Sequence, residues 1–155
     1  MKIAIGSDPN AVEEKYKLIE FIKKSNLGDI TDFGSDDVIY ANVAIEVAEQ
    51  VANKKFDRGI LLCGTGLGMS IAANKVKGAY AALISDIYSA KRAVLSNNAN
   101  IACMGAFTTG EKLREELIYA FLTNKFDNKS SSKVKVDAYV EYDVKRWLKN
   151  KIINQ

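Results

Sequence analysis

At 155 residues, 48% of them apolar, the chain predicts one domain, residues 1–155, large enough to bury a core of its own. Its net charge of +3 is spread along the sequence, with no basic block among aromatics and no apolar run of membrane-span length, which argues against nucleic acid and membrane as partners. There is no histidine, so Ser–His nucleophiles, imidazole acid–base catalysis and histidine metal sites are excluded within the chain, and two distant cysteines alone do not make a zinc site.

Met1-Lys2-Ile3-Ala4-Ile5 runs straight into the first predicted strand, Lys2–Ser7, without the pattern of a signal peptide. A reduced, cytoplasmic protein without disulfides is expected. Asp8-Pro9 predicts a helix start, with Asp8 as N-cap and Pro9 in the first helical position. Val12, Tyr16, Ile19 and Ile22 recur at helical spacing down to Ser25, and Asn26-Leu27-Gly28 stops that helix. A short strand at Asp29–Phe33 is closed by Gly34-Ser35-Asp36-Asp37. The next helix covers Tyr40–Asn53, with Val43, Ala44, Val47, Ala48 and Val51 on its apolar side. Strand three is Arg58–Leu62 and helix three Gly66–Lys75, punctuated by Lys77-Gly78. Strand four is Ala79–Ile84, and Ser85-Asp86 caps a helix to about Ser96. Strand five is Ile101–Met104, after which Thr108 and Glu111 have the spacing of a capping box for a helix to Leu122. After a polar connection, a last helix carries Val136, Tyr139, Val140, Val144, Trp147, Leu148 and Ile152 as a wide apolar stripe. That stripe packs either on a partner subunit or on the chain's own sheet.

Strands alternating with helices predict an α/β fold with a five-stranded parallel sheet. Ligands in such folds bind outside the carboxyl ends of the strands. Asp8, Gly34, Cys63, Asp86 and Gly105 all fall at such ends. The densest chemistry lies in Asp57–Val76, DRGILLCGTGLGMSIAANKV. A strand ends on the thiol of Cys63, and a glycine-rich turn with Gly64, Thr65, Gly66 and Gly68 leads into a helix. Glycines let backbone N–H groups approach a negative oxygen, and a helix N-terminus beside a thiol favours the thiolate. The plain alternative for Cys63 is a small buried hydrophobe. Gly64-Thr65-Gly66 followed by Asp86 also imitates a dinucleotide fingerprint, but Met69 stands where its third glycine should be.

KIAIGSD at the amino end, TDFGS around Gly34, the Asp57–Val76 stretch, SDIYSAKRA and NNANIACMGA follow one another in an order and spacing that resembles the ribose-5-phosphate isomerase B / galactose-6-phosphate isomerase family from end to end. The resemblance implies a flavodoxin-like three-layer sandwich, and the breadth of the last helix's apolar stripe places that helix at a subunit interface, with its own sheet as the alternative. It implies dimers that share active sites, a sugar-phosphate substrate, no metal and no cofactor. The implied reaction is aldose–ketose isomerisation through an enediolate. Cys63 matches the family's base position, and Thr65 is placed to relay or steady a hydroxyl proton, with N-cap as its other reading. Gly64, Gly66 and Gly68 form the oxyanion turn. Asp8 matches the carboxylate that holds sugar hydroxyls, although N-capping also explains it. Tyr40 matches the aromatic that flanks the sugar, with Ala41-Asn42 after it in place of the usual Pro-Asp. Asn97 matches an asparagine that reaches a neighbouring subunit's site, with a plain turn residue as its alternative. Cys103 is expected only to pack.

The sequence also departs from that pattern. Pro9 replaces a His, and the ring-opening His falls on Ser96. The phosphate-gripping arginines fall on Phe107, Ser130 and Val134. Lys129, Lys133 and Lys135 stand nearby, either as a substitute clamp or as a solvated loop. Three readings remain open. The chain is one subunit of a mixed assembly with a His-bearing homologue, or a self-sufficient homodimer or homotetramer acting on a substrate that needs no ring opening, or a non-catalytic binding subunit.

Overall fold

A computed structural model describes the backbone of residues 1–153 and the side chains of residues 1–149. The strands are β1 (Lys2–Ser7), β2 (Asp29–Asp32), β3 (Arg58–Cys63), β4 (Ala81–Leu83) and β5 (Ile101–Gly105). The helices are α1 (Val12–Lys24), α2 (Tyr40–Ala52), α3 (Leu67–Ala73), α4 (Ile87–Leu95), α5 (Glu111–Thr123) and α6 (Lys133–Ile153), with a 3-10 turn at Pro9–Ala11 before α1. All strand pairs are parallel, in the order β2-β1-β3-β5-β4. This Rossmann-like sheet differs from the flavodoxin order 2-1-3-4-5 only in its last two strands. Burial explains the exchange. Every residue of β5 is buried, as an interior strand requires, whereas the three residues of β4 are half-buried or exposed, as suits an edge.

Alternation along the strands sorts the core into two layers. Ile3, Ile5, Ile60, Leu62, Ala102 and Met104 face α1, α4 and α5. Ala4, Leu61, Cys63, Ile101 and Cys103 face α2 and α3. Helix α2 buries all five residues of its expected apolar side. Each buried valine there contributes about 1.5–3 kcal/mol relative to exposure, more than any surface ion pair.

Two local expectations change. In α1 the inward positions belong to Lys15, Leu18 and Ile22, while Tyr16 is 54% exposed. The capping box at Thr108–Glu111 does not form: the N-cap of α5 is Gly110, without a side-chain bond. The Thr108 and Thr109 hydroxyls donate instead to the Gly105 carbonyl, and Glu111 pairs with Lys17 of α1 at 3.5 Å. Proximity to a strand-end carbonyl outcompetes the local cap.

The stripe on α6 divides. Val136 is buried, and Tyr139 packs on Tyr80 with ring centroids 5.3 Å apart. Tyr139 also donates its hydroxyl to the Asn97 carbonyl. Asp143 accepts the Gly78 N–H at 2.8 Å, and Lys77 Nζ lies 4.1 Å from the centre of the Trp147 ring. Val144 and Leu148 remain 40% and 50% exposed, and the side chain of Ile152 lies outside the described residues. The helix is therefore tethered to the α3–β4 turn of its own chain and leaves part of its stripe open.

Burial, followed by the Asp143 carboxylate, pushes the Tyr80 hydroxyl up to about 12 from its ordinary 10.0. The folded chain thus holds this proton more tightly than the unfolded one. Its contribution to α6 docking is complete below about pH 10 and is lost as pH rises through about 12. Tyrosinate absorbance recorded together with the fluorescence of Trp147, the only tryptophan, should show α6 releasing over that interval, and Y80F should remove the step.

Candidate active site

Three strand ends converge. The ladder pairs Gly6 with Leu61 and Ser7 with Leu62, and the Asp8 N–H continues it to the Leu62 carbonyl at 3.1 Å. Asp8 and Cys63 are therefore side by side at the ends of β1 and β3. On the other flank, the Ala106 and Phe107 N–H groups donate to the Cys63 and Gly64 carbonyls at 2.8 and 2.9 Å. The glycine turn is fixed to the continuation of β5 by main-chain bonds.

Cys63 is 5% exposed, and its Sγ accepts the Gly66 N–H at 3.0 Å. This bond aims the sulfur at the turn. Gly66 achieves it in the left-handed region, φ +78°. A Cβ there would stand 2.6 Å from Leu83 Cδ1 and 2.8 Å from the Met104 carbonyl carbon. Both the conformation and the space demand glycine. Gly66 itself is the N-cap of α3. Thr65 is exposed and its Oγ1 accepts the Leu67 N–H at a long 3.4 Å, leaving the hydroxyl at the mouth of the turn.

Close packing accounts for the other glycines. A Cβ on Gly68 would lie 2.5 Å from Tyr40 Cζ, so the Tyr40 ring rests on α3 with 43% of the residue exposed. A Cβ on Gly64 would lie 2.9 Å from the Phe107 ring, which covers the turn from the β5 side while 75% exposed. A Cβ on Gly105 would lie 2.7 Å from the Thr65 backbone. Cys63, Thr65, Gly64, Gly66, Gly68, Asp8 and Tyr40 are thus brought together at one edge of the sheet.

Asp8 is 6% exposed and caps the 3-10 turn, with Oδ1 accepting the Asn10 N–H at 3.0 Å and Oδ2 the Asn10 side-chain amide at 3.2 Å. Capping does not remove it from the edge it shares with Cys63. Asn42, the departure after Tyr40, donates to Asp37 Oδ2 at 2.8 Å, while the Ile39 N–H reaches Oδ1 at 2.7 Å. The Asn42 bond, then the Ile39 N–H, hold the Asp37 carboxyl below its usual range. That loop leads directly into Tyr40.

Other expected residues lie elsewhere. Helices α4 and α5 run from the carboxyl edge back to the amino edge, so Asn97 and Lys129–Lys135 sit at the edge opposite Cys63, held together by the Tyr139–Asn97 bond. Lys133 pairs with Asp137 of its own helix at 2.5 Å. Within one chain they are not brought to the thiol. Asp86 accepts the Ser89 N–H and hydroxyl at 2.8 and 2.6 Å as the cap of α4, which occupies the carboxylate a dinucleotide would need. Cys103 is fully buried, and burial, then the neighbouring Cys63, push its thiol up. Phe107 is the residue the sequence pattern missed as a contact of the turn. Its signals were an aromatic two residues after a strand-end glycine and its place at a family arginine position, and neither gives the contact with Gly64.

Two outcomes follow from this geometry. Native alkylation with iodoacetamide should modify Cys63 and spare Cys103 until the chain unfolds, as peptide mass spectrometry would reveal. Gly66→Ala should cost at least about 1–2 kcal/mol in a denaturant titration, because the left-handed conformation alone costs that much with a side chain present.

The sequence profile of the Ribose/Galactose Isomerase family matches residues 3–139. The chain is 47% identical to ribose-5-P isomerase B of Listeria innocua, over 94% of this chain and 99% of the relative. It is 40% identical to D-erythrulose-4-phosphate isomerase 2 of Mycolicibacterium smegmatis, over 92% of this chain and 97% of that protein. The ribose-5-phosphate isomerase B structure from Clostridium thermocellum superposes with a TM-score of 0.88 at 36% identity, covering 94% of this chain and 99% of the other. Among the described residues no helix is long and apolar enough to cross a membrane. Matched over nearly its whole length in sequence and in fold, the chain belongs to the Ribose/Galactose Isomerase family and is an aldose–ketose isomerase of the sugar-phosphate class.

Proposed function

We propose that the chain isomerises a short sugar phosphate that stays open-chain, of the D-erythrulose 4-phosphate type, using Cys63 as the base. The observation that carries this reading is the pairing of an intact thiol and glycine turn with a complete absence of histidine. A five- or six-carbon sugar phosphate spends most of its time as a ring, and opening that ring needs an acid–base group. A four-carbon sugar phosphorylated on its terminal oxygen has no free hydroxyl able to close a five- or six-membered ring on its carbonyl. It needs no opening step. The similarity to D-erythrulose-4-phosphate isomerases from two organisms, at 40% and 41% identity, supports this substrate.

In the forward direction the Cys63 thiolate takes the proton from the carbon beside the carbonyl, and the electron pair moves into an enediolate. The turn's N–H groups carry the developing oxygen charge. Thr65 steadies or relays the proton between the two oxygens. Cys63 then returns its proton to the adjacent carbon, so nothing is gained or lost overall. Asp8 and Tyr40 hold hydroxyls beside it. Asn97 serves the site of a second copy, because in its own chain it lies at the far edge of the sheet.

Proton–deuterium exchange in heavy water, followed by NMR, tests this reading. The purified chain should exchange and convert a tetrose phosphate faster than ribose 5-phosphate. Cys63→Ala should lower that rate by about a hundredfold or more, the usual weight of a general base. Equal turnover of ribose 5-phosphate would overturn the open-chain assignment. Exchange only after a His-bearing homologue is added would establish the mixed assembly. No exchange in either case would leave the non-catalytic subunit.

A further inference from the structure

Lys15 is the one lysine among the described residues whose side chain is completely buried, and its neighbour in space is Asp32, at 2.7 Å. Burying an ammonium costs several kcal/mol, and an apolar residue of similar size would serve a helix face better. The charge therefore calls for a reason beyond packing. Ile5 pairs with Asp32 across β1 and β2, which places the carboxylate on the α1 side of the sheet, at its carboxyl edge.

Asp32 Oδ1 takes a second donor, the Gly34 N–H, at 2.9 Å. Gly34 adopts φ +95° and so turns its own carbonyl back to accept the Ser7 N–H at 3.1 Å. Ser7 directly precedes Asp8. Its hydroxyl is buried without a protein partner, so the end of β1 is held on this side by its main chain alone. Asp8 is thereby clamped from two directions, by the Leu62 carbonyl of β3 and by the relay Lys15–Asp32–Gly34–Ser7. The same turn starts the segment that arrives at Tyr40. Cys63 and its glycines lie across β1, outside the relay.

We propose that Lys15 and Asp32 are positioning residues. By fixing the turn at Gly34 they set where Asp8 and Tyr40 stand against the substrate, while the thiol is set independently. This rests on the reading of the site as a sugar-phosphate isomerase. Two double variants separate positioning from stability, since replacing a buried pair as a unit is often neutral for folding. K15M/D32N keeps a side-chain oxygen for the Gly34 N–H, and K15M/D32L does not. At a temperature where circular dichroism shows both folded, K15M/D32L should raise KM for the sugar phosphate about tenfold with kcat changed less than about threefold. K15M/D32N should raise KM by about threefold or less. Amide hydrogen exchange at Ser7 and Gly34 should quicken at least about tenfold in the leucine variant and less in the asparagine one. Equal KM values in the two doubles, or a loss confined to kcat, or unchanged amide protection, would overturn the proposal. The amide readout needs no turnover, so a wild-type chain that isomerises nothing would count against the function and leave the positioning relay to be decided by exchange alone.

Discussion

The site depends on a close approach of main chains. The turn after β3 lies against the end of β5 so tightly that no side chain fits at Gly66 or Gly105, and the bonds from Ala106 and Phe107 lock that contact. Only then does the Gly66 N–H reach Cys63 Sγ at 3.0 Å. The sulfur's orientation is thus a property of the sheet rather than of a flexible loop. The strand exchange at the edge contributes directly. With β5 beside β3, the buried interior strand delivers Gly105 to the turn, and the short β4 is free to sit outside. Preorganisation of this kind matters for an enediolate, because dipoles already aimed at the developing charge need no rearrangement during the step.

Helix direction imposes a second constraint. Each helix that follows a strand returns to the amino edge, so residues at helix C-termini cannot meet the strand ends of their own chain. Asn97 and the Lys129–Lys135 segment fall there, joined to one another through Tyr139. If Asn97 serves a second copy, as proposed, that copy meets this edge, and α6, tethered at Gly78 yet open at Val144 and Leu148, carries the exposed part of its stripe nearby.

Much of this was legible in the sequence, for identifiable reasons. The five strands and six helices follow from hydrophobic period and from glycine and asparagine punctuation, and α2 buried every residue its spacing marked. Cys63 and its turn were legible because glycine spacing encodes backbone approach. What could not be read was competition between partners. Thr108 had a correct capping partner in Glu111, yet the Gly105 carbonyl was closer once the chain folded. The helical spacing marked Tyr16 and passed over Lys15, because periodicity counts apolar residues and cannot see that Asp32 waits on a neighbouring strand. Phe107 was legible as a departure from a family arginine, but its seat on Gly64 depends on a contact 43 positions away in the chain.

That seat bears on the chemistry proposed for the site. An arginine at the turn would bring a positive charge to the proposed oxygen-binding region, whereas a phenyl ring brings none and only covers Gly64. An enediolate is strengthened against its alternatives when the surrounding dielectric is low and fixed N–H dipoles supply the stabilisation. A long sugar phosphate would lose its cationic anchor there, while a four-carbon one places its phosphate closer to the reacting carbons and depends less on a distant clamp. The missing imidazoles and the aromatic at position 107 therefore point in one direction, towards a smaller substrate that arrives already open.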